Sequence, residues 1–230
     1  MGSGVGGNAY RSSYGIRIIS VLMLQMLIFD IGANIGRYAL SNYQPSDNII
    51  CVEASPSTFR TLYNNTNNHN NIKCINFAVT NSSEDYVTFY DSPINTISTL
   101  DKAWLSDTSS RFYGTRYNEI LVPTISIDKL IEKYGIPDIL KIDVEGAENI
   151  VIKSLSKKCN ILCFEWATEW NAKTFECIDH LHMLGYDKFH IQMGDAYTYR
   201  PSIFEYSVSE LKEKLATTKD KIDWGMIWTT

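Results

Sequence analysis

Apolar runs of strand length recur along this 230-residue chain and alternate with amphipathic segments of helical length. The apolar runs predict seven strands: MLIFD at 26–30, NIICVE at 48–53, IKCINFAV at 72–79, DILKID at 138–143, NILCFEW at 160–166, FHIQ at 189–192 and GMIW at 225–228. The amphipathic segments predict helices at 35–43, 57–68, 147–156 and 173–184. Strands that read as continuous apolar runs are covered on both faces, as in a mostly parallel sheet between helices. The pattern therefore predicts an α/β fold with a doubly wound sheet.

A long polar insertion at 92–119 interrupts this alternation. Its aromatic and basic side chains are Trp104, Arg111, Phe112, Tyr113, Arg116 and Tyr117. A segment of that length in a compact domain is usually functional or disordered, and the aromatic residues indicate a lid or a substrate wall. Residues 1–15 are rich in Gly and Ser and are expected to be a disordered tail or a vector-derived remnant. We expect a single domain at 16–230 that contains the insertion.

Composition and charge limit the partners of the chain. It is 44% hydrophobic and 20% charged, with a formal net charge of −5 and no long run of Lys or Arg, so we expect no nucleic-acid partner. Its five cysteines contain no C-x-x-C pair, which favours a reduced compartment and predicts a cytoplasmic protein. The apolar run at 16–29 is interrupted by Arg17, Ser20 and Gln25 and is shorter than the ~20 residues of a spanning helix, so no membrane insertion is expected. The sequence predicts no particular oligomeric state.

The turn after the first predicted strand carries the clearest functional signal. That strand ends at Asp30 and is followed by Gly32, Asn34 and Gly36. Glycines in such a turn let the backbone approach a ligand and let the next helix pack closely on the sheet. Glu53 ends the next strand, about twenty positions later, where an acidic residue binds ribose hydroxyls. The spacing therefore indicates a nucleotide-containing cofactor.

The residues of the turn indicate which cofactor this is. A dinucleotide fingerprint requires glycine at positions 34 and 37, where this chain has Asn34 and Arg37. An NAD-dependent oxidoreductase is therefore the weaker alternative. Asp30 suits an ammonium group and Asn34 suits a carboxylate, which together predict S-adenosylmethionine. A non-catalytic module that only binds this cofactor remains open as another alternative.

A second group of charges lies in the segment LKIDVEGAE. Lys141 lies in a strand predicted to be central, where a charge needs a partner. Asp143 ends that strand beside the cofactor crevice and is expected to belong to the site. Glu145 follows at the crevice mouth, and Glu165 ends the neighbouring strand. Glu148 is explained more simply as a favourable charge in the first turn of the next helix.

These motifs together resemble the FkbM family of S-adenosylmethionine-dependent methyltransferases. The resemblance covers roughly 27–166, through FDIGANIGRY, CVEASPSTFRTL, NFAVTNSSEDYVTFY and VPTISIDKLIEKYGIPDILKIDVEGAENIVIKSL. It implies a class I methyltransferase (Rossmann-like) sheet with an antiparallel last strand at 225–228. It also implies the cofactor-binding residues, which are Asp30, Gly32, Asn34 and Gly36 for the methionine part, Glu53 with its neighbour Ala54 for the ribose, and Phe77 and Ala78 for the adenine.

The resemblance further implies methyl transfer to a hydroxyl, with a sugar or glycan as the favoured acceptor and a non-carbohydrate small molecule as the alternative. Asp143, Glu145 and His190 are the candidate bases that take the hydroxyl proton. Alternatively, Asp143 and Glu165 hold Mg²⁺ or Mn²⁺, which lowers the pKa of neighbouring hydroxyls. The Asn/Asp-Pro-Pro-aromatic motif of enzymes that methylate base amino groups is absent, which again argues against a nucleic-acid substrate.

Overall fold

The computed structural model describes residues 25–218 and 223–230, so the Gly/Ser-rich start and most of the apolar run that follows it lie outside the described residues. The strands are β1 (Leu27–Ile31), β2 (Asn48–Val52), β3 (Ile72–Ile75), β4 (Ala78–Val79), β5 (Tyr86–Asp91), β6 (Asn118–Ile125), β7 (Ile139–Ile142), β8 (Ile161–Ala167), β9 (Phe189–Met193) and β10 (Trp224–Thr229). The helices are α1 (Arg37–Asn42), α2 (Pro56–Thr66), α3 (Ala103–Ser106), α4 (Ile127–Tyr134), α5 (Glu148–Ile152), α6 (Asn171–Met183) and α7 (Val208–Thr217), with a 3-10 turn at Thr168–Trp170.

A seven-stranded sheet with the order β3-β2-β1-β7-β8-β10-β9 forms the centre of the domain. The first five strands in this order, β3, β2, β1, β7 and β8, pair in parallel, and β10 runs antiparallel to both of its neighbours. The order reverses at β1, since β2 and β3 lie on one side of it and β7 and β8 on the other. In such sheets the ligand crevice opens at the carboxyl ends of the strands, where the order reverses. The predicted doubly wound sheet and its antiparallel last strand are both confirmed.

Successive side chains of each strand point to opposite faces of the sheet, and both faces are covered. In β1, Phe29 belongs to the buried cluster that includes the apolar faces of α4, α5, α6 and α7, whereas Ile28 belongs to the cluster that includes α1 and α2. Further along the second face, the chain around Tyr199 and Phe204 covers β8 and β10 in place of a helix. Within residues 25–218 and 223–230, no helix is long and apolar enough to cross a bilayer.

The apolar run at 72–79 does not form the single strand predicted from its sequence. The structure divides it into β3 in the main sheet and β4 in a smaller sheet with the order β4-β6-β5. Asn76 lies at the break, and its side-chain amide donates to the carbonyl oxygens of Glu53 and Ala54 at 2.7 and 3.0 Å. These two hydrogen bonds hold the chain beside β2 where it leaves the main sheet. Apolar periodicity carries no information about such a break.

The predicted helices are all present, although their bounds differ by several residues. The sequence analysis does not predict α4 and α7. In α4 the Ser126 side chain accepts a hydrogen bond from the Lys129 N–H, and in α7 Ser207 and Glu210 form a reciprocal cap. Leu211 and Leu215 are the buried residues of α7, and so narrow an apolar stripe gives a weak helical signal.

Candidate active site

A cavity of about 410 Å³ opens at the carboxyl ends of β1, β2, β7 and β8. The residues that line it come from the β1–α1 turn, the end of β2, the chain around β4, the end of β7, the end of β8 and the insertion. Among the predicted site residues it is lined by Gly32, Asn34, Glu53, Ala54, Phe77, Ala78, Asp143, Glu145 and Glu165. The structure therefore brings most of the predicted site into one place.

The β1–α1 turn forms one wall of the cavity, and two of its residues have backbones that glycine adopts most easily. Gly32 has a φ of 74°, and a Cβ there would lie 1.8 Å from the carbonyl oxygen of Asp143. Gly36 has a φ of 90°, and its Cβ would lie 3.0 Å from Leu62. Gly32 thus allows the turn to approach the end of β7, whereas Gly36 allows α1 to pack on α2 and does not line the cavity. The resemblance had implied that Gly36 holds the cofactor, and the structure gives it this packing role instead.

Glu53 is fixed by backbone donors on both of its carboxylate oxygens. The N–H of Asn34 donates to Oε2 at 2.9 Å, and the N–H of Ser55 donates to Oε1 at 2.8 Å. Glu53 therefore joins the β1–α1 turn to the end of β2. Burial raises the pKa of its carboxyl to about 7, although the Ser55 and Asn34 donors oppose that increase.

The end of the cavity beyond Glu53 is apolar. Its wall consists of Ala54, Phe77, Ala78, Val79, Phe89 and Leu100. A nucleoside has a flat, largely apolar base and a polar ribose. The apolar slot suits the base, and the neighbouring carboxylate can accept hydrogen bonds from the ribose hydroxyls. Phe77 and Ala78, which the resemblance assigns to the adenine, belong to this apolar wall.

Asp30 does not line the cavity. Its side chain is fully buried, and its carboxylate lies 3.2 Å from the Lys141 ammonium. Lys141 also lies 3.1 Å from the Asp143 carboxylate and 3.4 Å from the carbonyl oxygen of Gly32. The predicted contact between Asp30 and the cofactor ammonium is thus replaced by an ion pair beneath the turn. Burial alone would lower the pKa of Lys141, but Asp143 and Asp30 outweigh it and raise that pKa.

Three carboxylates converge beside the turn. Asp143, Glu145 and Glu165 each present an oxygen within 4.8 Å of the other two. Burial and the nearby Asp143 raise the pKa values of Glu145 and Glu165 well above the ordinary range. Glu145 also has a positive φ of 58°, an uncommon conformation for a non-glycine residue that the following loop must hold.

Glu148 holds that loop. Its Oε1 accepts a hydrogen bond from the Val144 N–H at 3.0 Å, which links the first residue of α5 to the chain just before Glu145. Burial raises the pKa of Glu148 to about 7, against the effect of this donor. Glu148 thus stabilises the segment that presents Glu145, and it does not line the cavity itself.

The insertion covers the cavity from the opposite side. Asn34 and Asn95 are linked by two hydrogen bonds, from Asn34 Nδ2 to the main-chain carbonyl oxygen of Asn95 at 3.1 Å and from Asn95 Nδ2 to Asn34 Oδ1 at 2.7 Å. Trp104 is 2% exposed and packs so closely on Gly146 that a Cβ there would lie 2.7 Å from its ring. The insertion is therefore folded against the loop that follows β7, and it forms a wall of the cavity as predicted.

A protein-family comparison agrees with this arrangement. The family profile of the methyltransferase FkbM domain matches residues 30–200 of the chain. The chain belongs to the FkbM methyltransferase family. With the sheet order described above, this establishes the class I methyltransferase fold and assigns the chain to the S-adenosylmethionine-dependent methyltransferases. No curated protein sequence matches this one.

Solved structures share the general arrangement at low identity. Precorrin-6y C5,15-methyltransferase from Geobacter metallireducens is 11% identical, with 89% of this chain and 80% of that chain covered and a TM-score of 0.45. Aeropyrum pernix fibrillarin, solved with natively bound S-adenosyl-L-methionine, is 14% identical, with 90% and 66% covered and a TM-score of 0.46. Precorrin 8w decarboxylase from Methanobacterium thermoautotrophicum is 11% identical, with 90% and 82% covered and a TM-score of 0.46. Likeness at this level carries no information about the substrate of the FkbM protein.

His190 lies away from the site of this FkbM methyltransferase. It lies on β9, at the edge of the sheet, and does not line the cavity. Its Nδ1 is 2.8 Å from the Glu205 carboxylate and its Nε2 is 2.5 Å from the Tyr199 hydroxyl, so both ring nitrogens have partners. The structure therefore places His190 outside the cavity in which the base is expected. In the main sheet, β8 and β10 lie between β7 and β9.

Three further residues of the wall come from the C-terminal third of the FkbM chain and were missed by the sequence analysis. Asp195, Tyr197 and Trp224 line the cavity. Burial and the nearby Asp143 raise the pKa of Asp195 to about 6. No local spacing marks these residues, because they reach the site through the fold alone. The available signal was the position of Asp195 and Tyr197 shortly after the strand predicted at 189–192.

Proposed function

We propose that this protein transfers the methyl group of S-adenosylmethionine to a hydroxyl of a sugar or of another small molecule. The observation that carries the proposal is the convergence of Asp143, Glu145 and Glu165 within 4.8 Å, beside the glycine turn and at the polar end of the cavity. A hydroxyl is a poor nucleophile at neutral pH until a base takes its proton. Carboxylates at this position supply such a base next to the expected methyl group.

The proposed cofactor position follows the polarity of the cavity. The adenine occupies the apolar slot beside Phe77 and Ala78, the ribose hydroxyls donate to Glu53, and the methionine part lies along Gly32 and Asn34. The Asn34 side chain is hydrogen-bonded to Asn95, so the cofactor carboxylate competes with Asn95 for the side-chain amide of Asn34. This order directs the sulfonium toward the carboxylates at the end of β7.

In the proposed step, the acceptor oxygen attacks the methyl carbon in line with the carbon–sulfur bond. The oxygen–carbon bond forms as the sulfur–carbon bond breaks, S-adenosylhomocysteine leaves, and the hydroxyl proton passes to a carboxylate. We assign that proton to Glu145, because the Asp143 carboxylate is already held by Lys141 at 3.1 Å. Binding energy is used here to hold the oxygen behind the methyl carbon.

Support for a sugar acceptor comes from part of the insertion only. Trp104, Arg111 and Phe112 line the cavity, so aromatic rings and a hydrogen-bond donor are available beside a bound sugar. Tyr113 is 59% exposed and Tyr117 packs edge-on against Tyr90 at 5.4 Å, so these two do not form the wall predicted from the sequence. A carbohydrate is therefore the proposed acceptor class, with non-carbohydrate alcohols as the alternative.

The same carboxylates are chemically suited to a divalent cation. Hard cations prefer oxygen ligands, and Asp143 and Glu165, together with Glu145, would hold Mg²⁺ or Mn²⁺. Such an ion would lower the pKa of a bound hydroxyl. Lys141 lies 3.1 Å from Asp143 and competes with a metal ion for that carboxylate. This competition reduces the negative charge that the metal ion would meet.

The proposal is tested by incubating the protein with methyl-deuterated S-adenosylmethionine and a panel of sugars, glycans and simple alcohols, in excess EDTA and again with Mg²⁺ or Mn²⁺ added. Tandem mass spectrometry locates the label. Labelled oxygen in a sugar supports the proposal, and activity only after metal addition supports the cation. Label on nitrogen only, or cofactor binding without product across the panel, contradicts it. The second of these results would favour the non-catalytic binding module.

A further inference from the structure

The polar end of the cavity holds more carboxyl groups than cations. Asp143, Glu145, Glu165 and Asp195 line it. The two nearby cations are already engaged. Lys141 contacts both Asp30 and Asp143, at 3.2 and 3.1 Å. Arg111 forms a two-pronged contact with the Glu169 carboxylate, including a 2.6 Å bond from its second terminal nitrogen.

Glu145 and Glu165 feel Arg111 and Lys141 from a distance but are in direct contact with neither. Neither has an ion-pair partner within the part of the chain that the structure describes. A carboxylate in a half-buried wall is stabilised when a cationic group binds beside it. The site is therefore built for a positively charged group at this position.

Trp104 provides a separate indication of a ligand. Its side chain is 2% exposed and lines the same cavity, and its indole N–H has no hydrogen-bond partner within the described residues. The N–H comes near Glu145 without completing a hydrogen bond. A buried indole N–H usually has an acceptor. An oxygen atom of a bound acceptor molecule would supply it.

We infer that the acceptor carries a protonated amine close to the hydroxyl that is methylated, as in an amino sugar or an amino alcohol, and that Glu165 binds this ammonium group. This inference rests on the proposed function and names the acceptor class for the same site. Trp104 donates to an oxygen of the acceptor, and Glu145 remains the base. Because an ammonium nitrogen has no lone pair, holding it at Glu165 also directs the methyl group to the oxygen.

The aromatic surroundings favour an organic ammonium over a hydrated metal ion. Trp104, Tyr197 and Trp224 line the same cavity as the carboxylates, and aromatic faces attract ammonium groups. Divalent metal sites, in contrast, consist mainly of oxygen ligands and water. Asp143 is also committed to Lys141, so a metal ion would find two unpaired carboxylates rather than three.

The test compares ligands that differ mainly in charge. Glucosamine is compared with glucose and with N-acetylglucosamine, and ethanolamine with ethylene glycol, for binding to the protein saturated with S-adenosylhomocysteine in excess EDTA. Ligand-observed NMR titration gives the dissociation constants. At least one of the two amines should bind about tenfold more tightly than its neutral counterparts. Glu165→Gln should reduce that preference to within about threefold, and Glu213→Gln, the same change on the exposed side of α7, should leave it intact.

Equal binding of amines and neutral ligands, or a preference that survives in Glu165→Gln, overturns the inference. Binding by neither amine overturns it as well. A preference for neutral vicinal diols that appears only when Mn²⁺ replaces EDTA would assign the positive charge to a metal ion instead. S-adenosylhomocysteine binding is measured calorimetrically on the same samples. Its loss would count against the proposed function, whereas normal cofactor binding without amine preference counts against the amine alone.

Discussion

The Lys141 ammonium lies 3.1 Å from the Asp143 carboxylate, with Lys141 3% exposed and Asp143 at the rim of the cavity. The same ammonium reaches Asp30 on the next strand and the carbonyl oxygen of Gly32. One buried side chain thus connects the floor of the sheet, the cofactor turn and the acidic wall. Lys141 touches neither cofactor nor acceptor in the proposed arrangement, so it is a positioning residue.

Lys141→Met is expected to lower the free energy of unfolding by about 3 to 5 kcal/mol, because it leaves Asp30 buried without its cation. The double variant Asp30→Asn with Lys141→Met should recover most of that loss, since no uncompensated charge remains. Urea unfolding followed by circular dichroism measures both, with Lys129→Met on the exposed side of α4 as the control. A single variant within about 1 kcal/mol of the native protein would contradict the structural role assigned here.

Gly32→Ala should destabilise the protein by about 3 kcal/mol or more, because its Cβ would overlap the Asp143 carbonyl oxygen in addition to the strain of a positive φ. Gly185→Ala separates these effects, since Gly185 has a φ of 92° but open space around its Cβ. That control should cost about 1 to 2 kcal/mol. Thermal unfolding compares the pair, and similar losses in both variants would show that the close approach is unimportant.

Glu53→Ala should weaken S-adenosylhomocysteine binding by about 1.5 to 3 kcal/mol, the range for a hydrogen bond to a charged group. The ribose hydroxyls would lose their acceptor, and the Asn34 N–H would lose the bond that fixes the turn. Isothermal titration calorimetry gives the affinity, with Glu84→Ala on an exposed loop as the control. An unchanged dissociation constant removes Glu53 from the cofactor site.

Glu53 should also make stability depend on pH. The pKa of its carboxyl is about 7 in the folded protein and 4.5 for a glutamate in the unfolded chain, so the folded protein binds the proton more tightly. The free energy of unfolding contributed by this group is therefore highest below pH 4.5 and falls as the pH rises to about 7, by at most about 3 kcal/mol. Urea titrations at pH 5 and pH 8 should show this fall relative to Glu53→Gln. The same pH dependence in both proteins would be inconsistent with a raised pKa at Glu53.

Glu145→Gln should reduce turnover about 10²- to 10⁴-fold while S-adenosylhomocysteine affinity changes by only a few fold, as expected for the loss of a general base. Asp143→Asn should have a smaller effect, because Asp143 is paired with Lys141 and positions the wall. Single-turnover measurements with the best acceptor of the panel separate the chemical step from binding. A larger loss in Asp143→Asn would transfer the role of base to Asp143.

The sequence by itself determined the parallel sheet and the cofactor turn. The strands of the main sheet are buried on both faces, so apolar runs of strand length mark their positions without further information. The turn from Gly32 to Gly36 and its distance to Glu53 are local features, because adjacent strands of one crossover unit come together at fixed spacing. For the same reason the sequence correctly placed Asp143, Glu145 and Glu165 at neighbouring strand ends.

Only the tertiary structure decided which of the predicted residues face the ligand. Parallel pairing places Asp30 directly opposite Lys141, a residue 111 positions away, and this ion pair withdraws Asp30 from the cofactor. The strand order moves His190 to the far edge of the sheet, and the chain after β9 brings Asp195 back to the cavity. These outcomes depend on register, strand order and the path of irregular segments. Hydrophobic periodicity records which side chains are buried, but it does not record which distant partner each one meets.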